Sequence, residues 1–288
     1  MSARLNKAVL WVGLVAGAAA VTIDPSVSLG LPFPGAWADT PNQTDPTAPG
    51  DMVQLPAGTY KPFYSRREKK GGLDILASDT VAVKSFLLDR FPVTNGDFLA
   101  FVTTHPEWRK STMKPIFAEA HYLEQWPSDL SLASVEDGQR PVTNVSWFAA
   151  EAYCESQGKT LPSTDQWEYA LDDKGRDALA VRDRILAWYG VPNQSRLPTL
   201  HDMSPNGYGI SGLIGAVWEW TLDFSTAMAG PELRSSGDKN QQLFCGGSSL
   251  GARDPNDYAA FMRYSFRVSL QASFTTPNLG FRCAKEAP

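Results

Sequence analysis

The sequence predicts an α+β fold with little regular secondary structure, and three observations point that way. Nine tryptophans and 21 prolines in 288 residues suit aromatic-packed loops better than a helical bundle or a regular sheet. Alternating stretches near the start read as strands, and capped, apolar-periodic stretches after them read as helices. Beyond about residue 172 that periodicity fades into Pro, Gly, Asn and aromatic punctuation. No internal repeat or linker interrupts residues 51–286, so one domain is expected there.

Arg4 and Lys7 give the chain a positive start, and Ala8 to Val21 run without a charge. The run is short against the ~20 residues of a membrane span. Ala36-Trp37-Ala38 offers a small-x-small cleavage site, and no twin-arginine pair is present. Residues 1–38 are therefore expected to be an export signal, cleaved or kept as an anchor, which puts the domain in the periplasm. Residues 39–50, rich in Pro, Thr, Asn and Asp, read as a flexible leader.

Met52 to Tyr60 alternates and contains a Gly turn, as a strand would, and Val81 to Leu88 suggests a second. Thr94 is placed to cap a helix with Asp97 in its first turn; Phe98, Phe101 and Val102 form its buried stripe, and Pro106 stops it. Ser146 caps a second helix, Trp147 to Gln157, closed by Gly158, with Phe148, Ala152 and Cys154 on its apolar face. Ser163 and Gln166 make a capping-box pattern for a third, in which Trp167 and Ala170 point inward. If Asp257 to Arg267 is helical, Tyr258, Phe261, Met262 and Phe266 share an apolar stripe. Arg263 and Arg267 then stand one turn apart on an adjoining face.

Charge narrows the function. With 26 Lys+Arg against 31 Asp+Glu and no basic cluster, nucleic acid is not expected as a partner. His105, His121 and His201 lack the spacing of a zinc site or an iron facial triad. No Gly-rich nucleotide loop or Ser-centred elbow is present. Three cysteines suit an oxidising compartment if two of them pair.

Several motifs follow one another in a specific order. They are Phe91-Pro92-Val93-Thr94-Asn95, Pro141 to Trp147, Ala152-Tyr153-Cys154, Leu161-Pro162-Ser163 and Gln166-Trp167-Glu168-Tyr169-Ala170. Pro205 to Gly209, Trp218-Glu219-Trp220, Gly246-Gly247-Ser248 and Asn278 to Cys283 complete the set. Each is weak alone; the ordered set resembles the formylglycine-generating (sulfatase-modifying) enzymes along nearly the whole chain after the leader. The resemblance implies a C-type-lectin-like α+β domain and a Cys154–Cys283 disulfide. Cys245 is then left over, as a buried small side chain or a reactive thiol.

The departures from that pattern carry the functional reading. The family binds copper through two cysteines after Gly-Gly-Ser, a thiolate pair suited to Cu(I). Here the first position matches Gly251 and the second falls near Ala259, so no copper dithiolate site is expected. The family's structural calcium site is matched by Gly215, Val217 and Glu219, but Gly212 stands where an Asn is expected, and waters would have to complete the shell. Otherwise Glu219 would bond loop backbone while Trp218 and Trp220 pack.

Exported members of the family without the copper cysteines, including one of pyoverdine maturation, are the most similar in pattern, through the signal and the Asp257 to Arg263 stretch. That similarity implies oxidation of dihydropyoverdine, a peptide siderophore precursor, to pyoverdine. Ser248, Asp254, Asp257 and Tyr258 are the candidate catalytic residues, with Ser248 matching the family's active-site serine. Arg253, Arg263, Arg267 and Trp218 are candidates for holding an anionic, oxygen-rich substrate. No motif encodes a redox cofactor; the electron acceptor stays open, with oxygen as one candidate. Three other readings stay open. One is an accessory protein of nitrite reductase; another is a lectin-like binding module that presents substrate to a periplasmic oxidase. In the third, a purely structural Arg–Asp network occupies the same residues.

Overall fold

Pro56 divides what the alternation suggests is one strand. Proline has no N–H to give a ladder, and β1 (Met52–Leu55) and β2 (Gly58–Tyr60) lie on either side of it. The computed structural model describes residues 51–63, 67–70, 73–76, 80–176, 178–190, 196–225 and 257–288. The expected signal and leader, Cys245 to Ser248, Gly251, Arg253 and Asp254 lie outside the described residues.

A hairpin follows, β3 (Arg67–Lys70) against β4 (Leu73–Leu76), joined across the dipeptide Gly71-Gly72. The second expected strand is also two, β5 (Val81–Val83) and β6 (Phe86–Asp89). β5 pairs antiparallel with β2. β6 is the centre of an antiparallel sheet, between β1 and the C-terminal β9 (Ala284–Glu286). A short parallel pair, β7 (Trp218–Glu219) with β8 (Leu279–Gly280), lies elsewhere.

α1 (Asn95–Thr104) starts at Thr94 with a full capping box to Asp97 and buries Phe98, Phe101 and Val102. α2 (Trp147–Ser156) is capped by Ser146, and Gly158 beyond it has φ +63°. Its buried face is Ala149, Ala150, Tyr153 and Cys154, not the expected Phe148 and Ala152. The aromatic Phe148 instead packs at the rim against Phe117 and Trp147, while two alanines let the helix approach the core closely. α3 (Thr164–Asp172) has the Ser163/Gln166 capping box, with Trp167 and Ala170 buried. α4 (Ala178–Tyr189) falls where no regular element is expected. α5 (Tyr258–Ser269) is the conditional C-terminal helix.

The run from Asn278 onward threads through this frame. Backbone N–H groups of Trp218, Trp220, Val93 and Asp89 donate to the carbonyls of Asn278, Gly280, Phe281 and Cys283. A Cβ on Gly280 would lie 2.6 Å from the Val142 carbonyl, so only glycine fits. Cys154 and Cys283 are joined by a disulfide with Cα atoms 5.6 Å apart, which ties the end of α2 to this thread. One core packs Phe98, Tyr153, Trp220 and Phe281 between α1, α2 and the thread. A second packs Leu55, Phe86, Leu88 and Trp167 between the sheet strands and α3. Among the described residues, no helix is long and apolar enough to cross a membrane.

Candidate functional site

α5 begins at Asp257, whose carboxylate accepts from the Ala260 N–H at 3.0 Å. Its buried face is Ala259, Ala260, Tyr264 and Arg267. The expected apolar stripe is thus displaced: Tyr258 is 55% exposed, and Phe261, Met262 and Phe266 are only partly buried. The cause is electrostatic. Glu168 lies buried on α3 and draws the arginine side of α5 inward, past two alanines that leave it room.

Arg263 reaches Glu168 at two points, Nη2 to Oε2 at 2.9 Å and Nε to Oε1 at 3.3 Å. Arg267 donates through Nη1 to Glu168 Oε1 at 2.5 Å, with its guanidinium 4.4 Å from the Trp167 ring centre. Burial alone would push the Glu168 carboxyl up, but the two guanidiniums outweigh it and hold it down at about 2. For Arg263, burial works against the charged form, and Glu168 reverses that to raise its pKa.

Trp167 links this cluster to a second buried pair. Its indole N–H donates to Glu219 Oε2 at 2.7 Å. Arg282 grips the same carboxylate from Nε and Nη2, both at 2.8 Å, and both partners are sealed from solvent. Glu219 therefore spans a protein guanidinium and an indole rather than facing a cation, and the residues present do not fit a calcium ion held through it. Gly215 has φ +87° and Val217 is buried beside it. Among the described residues, no group of three or more His, Cys, Asp or Glu is arranged to hold a metal ion.

Around α5 stands an aromatic wall. Trp218 packs 4.1 Å from Phe266, 5.1 Å from Tyr189 and 5.3 Å from Trp188 between ring centres. Next to the ion-paired cluster is a cleft of about 150 Å³ between β2, α3, α4 and the start of α5. Tyr60, Glu168, Asp172, Arg182, Asp257 and Arg263 are among its lining residues. At its floor Tyr60 donates to Asp165 at 2.6 Å. The Asp172 carboxyl is pushed up from its usual range by burial, with the charges of Glu168 and Asp173 adding to the effect and the Gly175 N–H opposing it.

Of the expected site residues, Asp257 and Arg263 line this cleft. Arg267 lies behind it on Glu168, and Tyr258 faces outward. Trp218 belongs to the aromatic wall, and Ser248, Arg253 and Asp254 lie outside the described residues. Sequence reasoning missed Glu168, Asp172 and α4 with Trp188 and Tyr189. The signal for α4 was present as Val181, Ile185 and Trp188/Tyr189, spaced by one turn. Glu168 had no such signal, because a glutamate within a helix ordinarily faces water.

The family model described as Sulfatase-modifying factor enzyme 1-like domain matches residues 38–287. The chain is 28% identical over 319 residues to Inactive C-alpha-formylglycine-generating enzyme 2 of Bos taurus, covering 93% of this chain and 97% of that one. It is 27% identical over 295 residues to the Formylglycine-generating enzyme of Bos taurus, covering 84% and 76%. Among solved structures, PvdO from Pseudomonas aeruginosa is similar with a TM-score of 0.40 at 16% identity, covering 82% of this chain and 94% of that one.

Proposed function

The chain belongs to the sulfatase-modifying factor enzyme 1-like domain family, and from that premise we propose that it matures a peptide siderophore in the periplasm, oxidising dihydropyoverdine to pyoverdine. The observation that carries the reading is the cysteine inventory. Of three cysteines, Cys154 and Cys283 form the disulfide, so a single thiol, Cys245, remains. A pair of copper thiolates cannot be built from it, and formylglycine synthesis by that route is closed to this chain. What the frame offers instead is a cleft lined by two guanidiniums, Arg182 and Arg263, and three carboxylates, Glu168, Asp172 and Asp257.

Those groups suit a catechol-bearing substrate. Phe63, Val181 and Ile185 supply apolar surface within the cleft for an aromatic ring. Arg263 supplies charge-assisted donors for its oxygens. Extending the chromophore removes two electrons and two protons from the substrate; dioxygen accepts both and leaves as hydrogen peroxide. Asp172 is suited to receive a proton, because its raised pKa brings it nearer to neutrality. Ser248, Asp254, Asp257 and Tyr258 remain the other candidates for that chemistry.

The test is direct. Purified protein mixed with dihydropyoverdine in air should accelerate appearance of the chromophore and release hydrogen peroxide in step with it. If the rate stays at that of buffer, with or without added calcium, copper or iron, the enzymatic reading is wrong.

A second reading, a binding module that presents the siderophore to a partner oxidase, is favoured by one observation. Glu168 and Asp257 both hold structural roles, in an ion pair and a helix cap. It predicts binding of dihydropyoverdine with no conversion until an oxidase is added.

A further inference from the structure

A second cleft, of about 210 Å³, lies between the end of α3, α4 and the loop of residues 204–214. It shares Leu171 and Val181 with the cleft described above, while Asp172 lines that one and Asp173 this one. Asp173 has left-handed backbone, φ +46°, and so has Lys174 after it, φ +61°, a conformation unfavourable for residues with a Cβ. The turn sends successive carboxylates into different clefts. The facing loop is held by Asn206, which donates to the Ala170 carbonyl at 2.8 Å. The same side chain accepts from the N–H groups of Tyr208 and Ile210 at 3.1 and 3.0 Å.

The charged groups of this cleft have capacity to spare. Asp173 is only 6% exposed, and its Oδ2 accepts from the Gly207 N–H at 2.8 Å. Its Oδ1 has, among the described residues, no hydrogen-bond partner. A buried acceptor left unpaired is unfavourable and calls for a donor. Arg176 and Arg184 line the same cleft, and among the described residues neither forms an ion pair or a side-chain hydrogen bond. Arg176 stands beside Asp173: a Cβ on Gly207 would fall 2.3 Å from Arg176 Nη1 and 2.6 Å from Asp173 Oδ2, so glycine is what lets both approach one point. Ile210, Leu213 and Ile214 complete the cleft with apolar surface.

We infer that this second cleft binds a carboxylate with an N–H on the neighbouring carbon, the chemistry shared by a free amino acid and the C-terminal residue of a peptide. Arg176 and Arg184 hold the carboxylate, Asp173 takes the N–H, and Ile210, Leu213 and Ile214 receive an apolar side chain. A simple anion would face the charge of Asp173, and a simple cation would meet two guanidiniums. A ligand that carries both groups satisfies all three side chains. The inference goes beyond the oxidation proposed above and does not depend on it.

Calorimetric titration of the full chain at pH 7 tests this with leucine, N-acetyl-leucine, leucinamide and 4-methylpentanoate. Leucine offers a carboxylate, an ammonium and an apolar side chain; N-acetyl-leucine keeps the carboxylate and an N–H, as a peptide end does. Leucinamide lacks the carboxylate, and 4-methylpentanoate lacks the nitrogen. Leucine or N-acetyl-leucine should bind saturably, with leucinamide and 4-methylpentanoate weaker by about tenfold, the scale of one lost hydrogen bond to a charged group. Whichever of the first two binds tighter identifies the source, a free amino acid or a peptide end. Arg184→Gln changes an exposed side chain and should weaken that probe by about tenfold at an unchanged unfolding temperature. Asp173→Asn keeps an acceptor for the Gly207 N–H and suits a left-handed residue; it should erase the advantage of the probe over 4-methylpentanoate. The site is overturned if neither leucine nor N-acetyl-leucine binds, or if leucinamide or 4-methylpentanoate binds as tightly. It is equally overturned if Arg184→Gln binds like wild type or a folded Asp173→Asn keeps the advantage, and Arg184→Gln decides alone where Asp173→Asn does not fold.

Discussion

Glu168 and Arg267 meet at 2.5 Å inside the protein, Oε1 to Nη1, and so pin α5 to α3. Arg263 completes the junction from one turn earlier on the same helix. Replacing Glu168 by Gln would leave two buried guanidiniums facing a neutral amide. Breaking such a pair costs about 3–5 kcal/mol, which urea unfolding would read directly. A variant as stable as wild type would show that this junction does not hold α5.

The same carboxylate sets an acid limit. Its folded pKa, about 2, lies below the ordinary 4.5, so its contribution is complete above pH 4.5. It is lost as pH falls from there towards 2 and amounts to roughly 3 kcal/mol. Stability of wild type measured across that window should drop by this much more than that of Glu168→Gln. Parallel curves would place the acid sensitivity elsewhere.

How much of this was legible beforehand follows from which interactions are local. The caps of α1 and α3 were readable because Thr94/Asp97 and Ser163/Gln166 satisfy each other within one turn. The strands were located but not their breaks, since Pro56 interrupts a ladder whose partners lie about thirty residues away. The face of α5 was misjudged because apolar count favoured Phe261, Met262 and Phe266. An acid ninety-five residues away in sequence, Glu168, decided otherwise. Tyr189 was invisible for the same reason. A lone tyrosine carries no pattern, and its ring stack exists only once α4 packs against Trp218.

Trp167 should matter through its nitrogen as well as its ring. Trp167→Phe keeps an aromatic face for Arg267 but removes the donor that Glu219 accepts at 2.7 Å. A hydrogen bond to a charged group is worth about 1.5–3 kcal/mol, and the lost indole volume adds a cavity cost. Thermal unfolding of Trp167→Phe indistinguishable from wild type would mean that the two ion pairs are independent of it.

The Cys154–Cys283 link closes a loop of 129 residues. In the chain-entropy model a loop of that size stabilises by about 4–5 kcal/mol. Cys154→Ala with Cys283→Ala should approach that loss in denaturant unfolding. A loss below about 1 kcal/mol would assign the C-terminal thread's stability to its backbone hydrogen bonds instead.

Calcium provides a contrast. Because Glu219 is held by Arg282 and Trp167, millimolar calcium should leave the unfolding temperature where EDTA leaves it. A ligand that bound the folded state through this residue would raise that temperature with concentration. A calcium-dependent rise would show that Glu219 exchanges Arg282 for the ion.

In the proposed function the cleft beside α5 receives a reduced siderophore and holds the ring to be oxidised against Phe63, Val181 and Ile185. The most direct measurement is a titration with dihydropyoverdine without oxygen, followed by admission of air in the same cuvette. Tryptophan fluorescence should be quenched first, with no chromophore, and the chromophore should then form faster than in a protein-free control. No quenching in the anaerobic phase, or chromophore formation at the control rate after air, would contradict the proposed function.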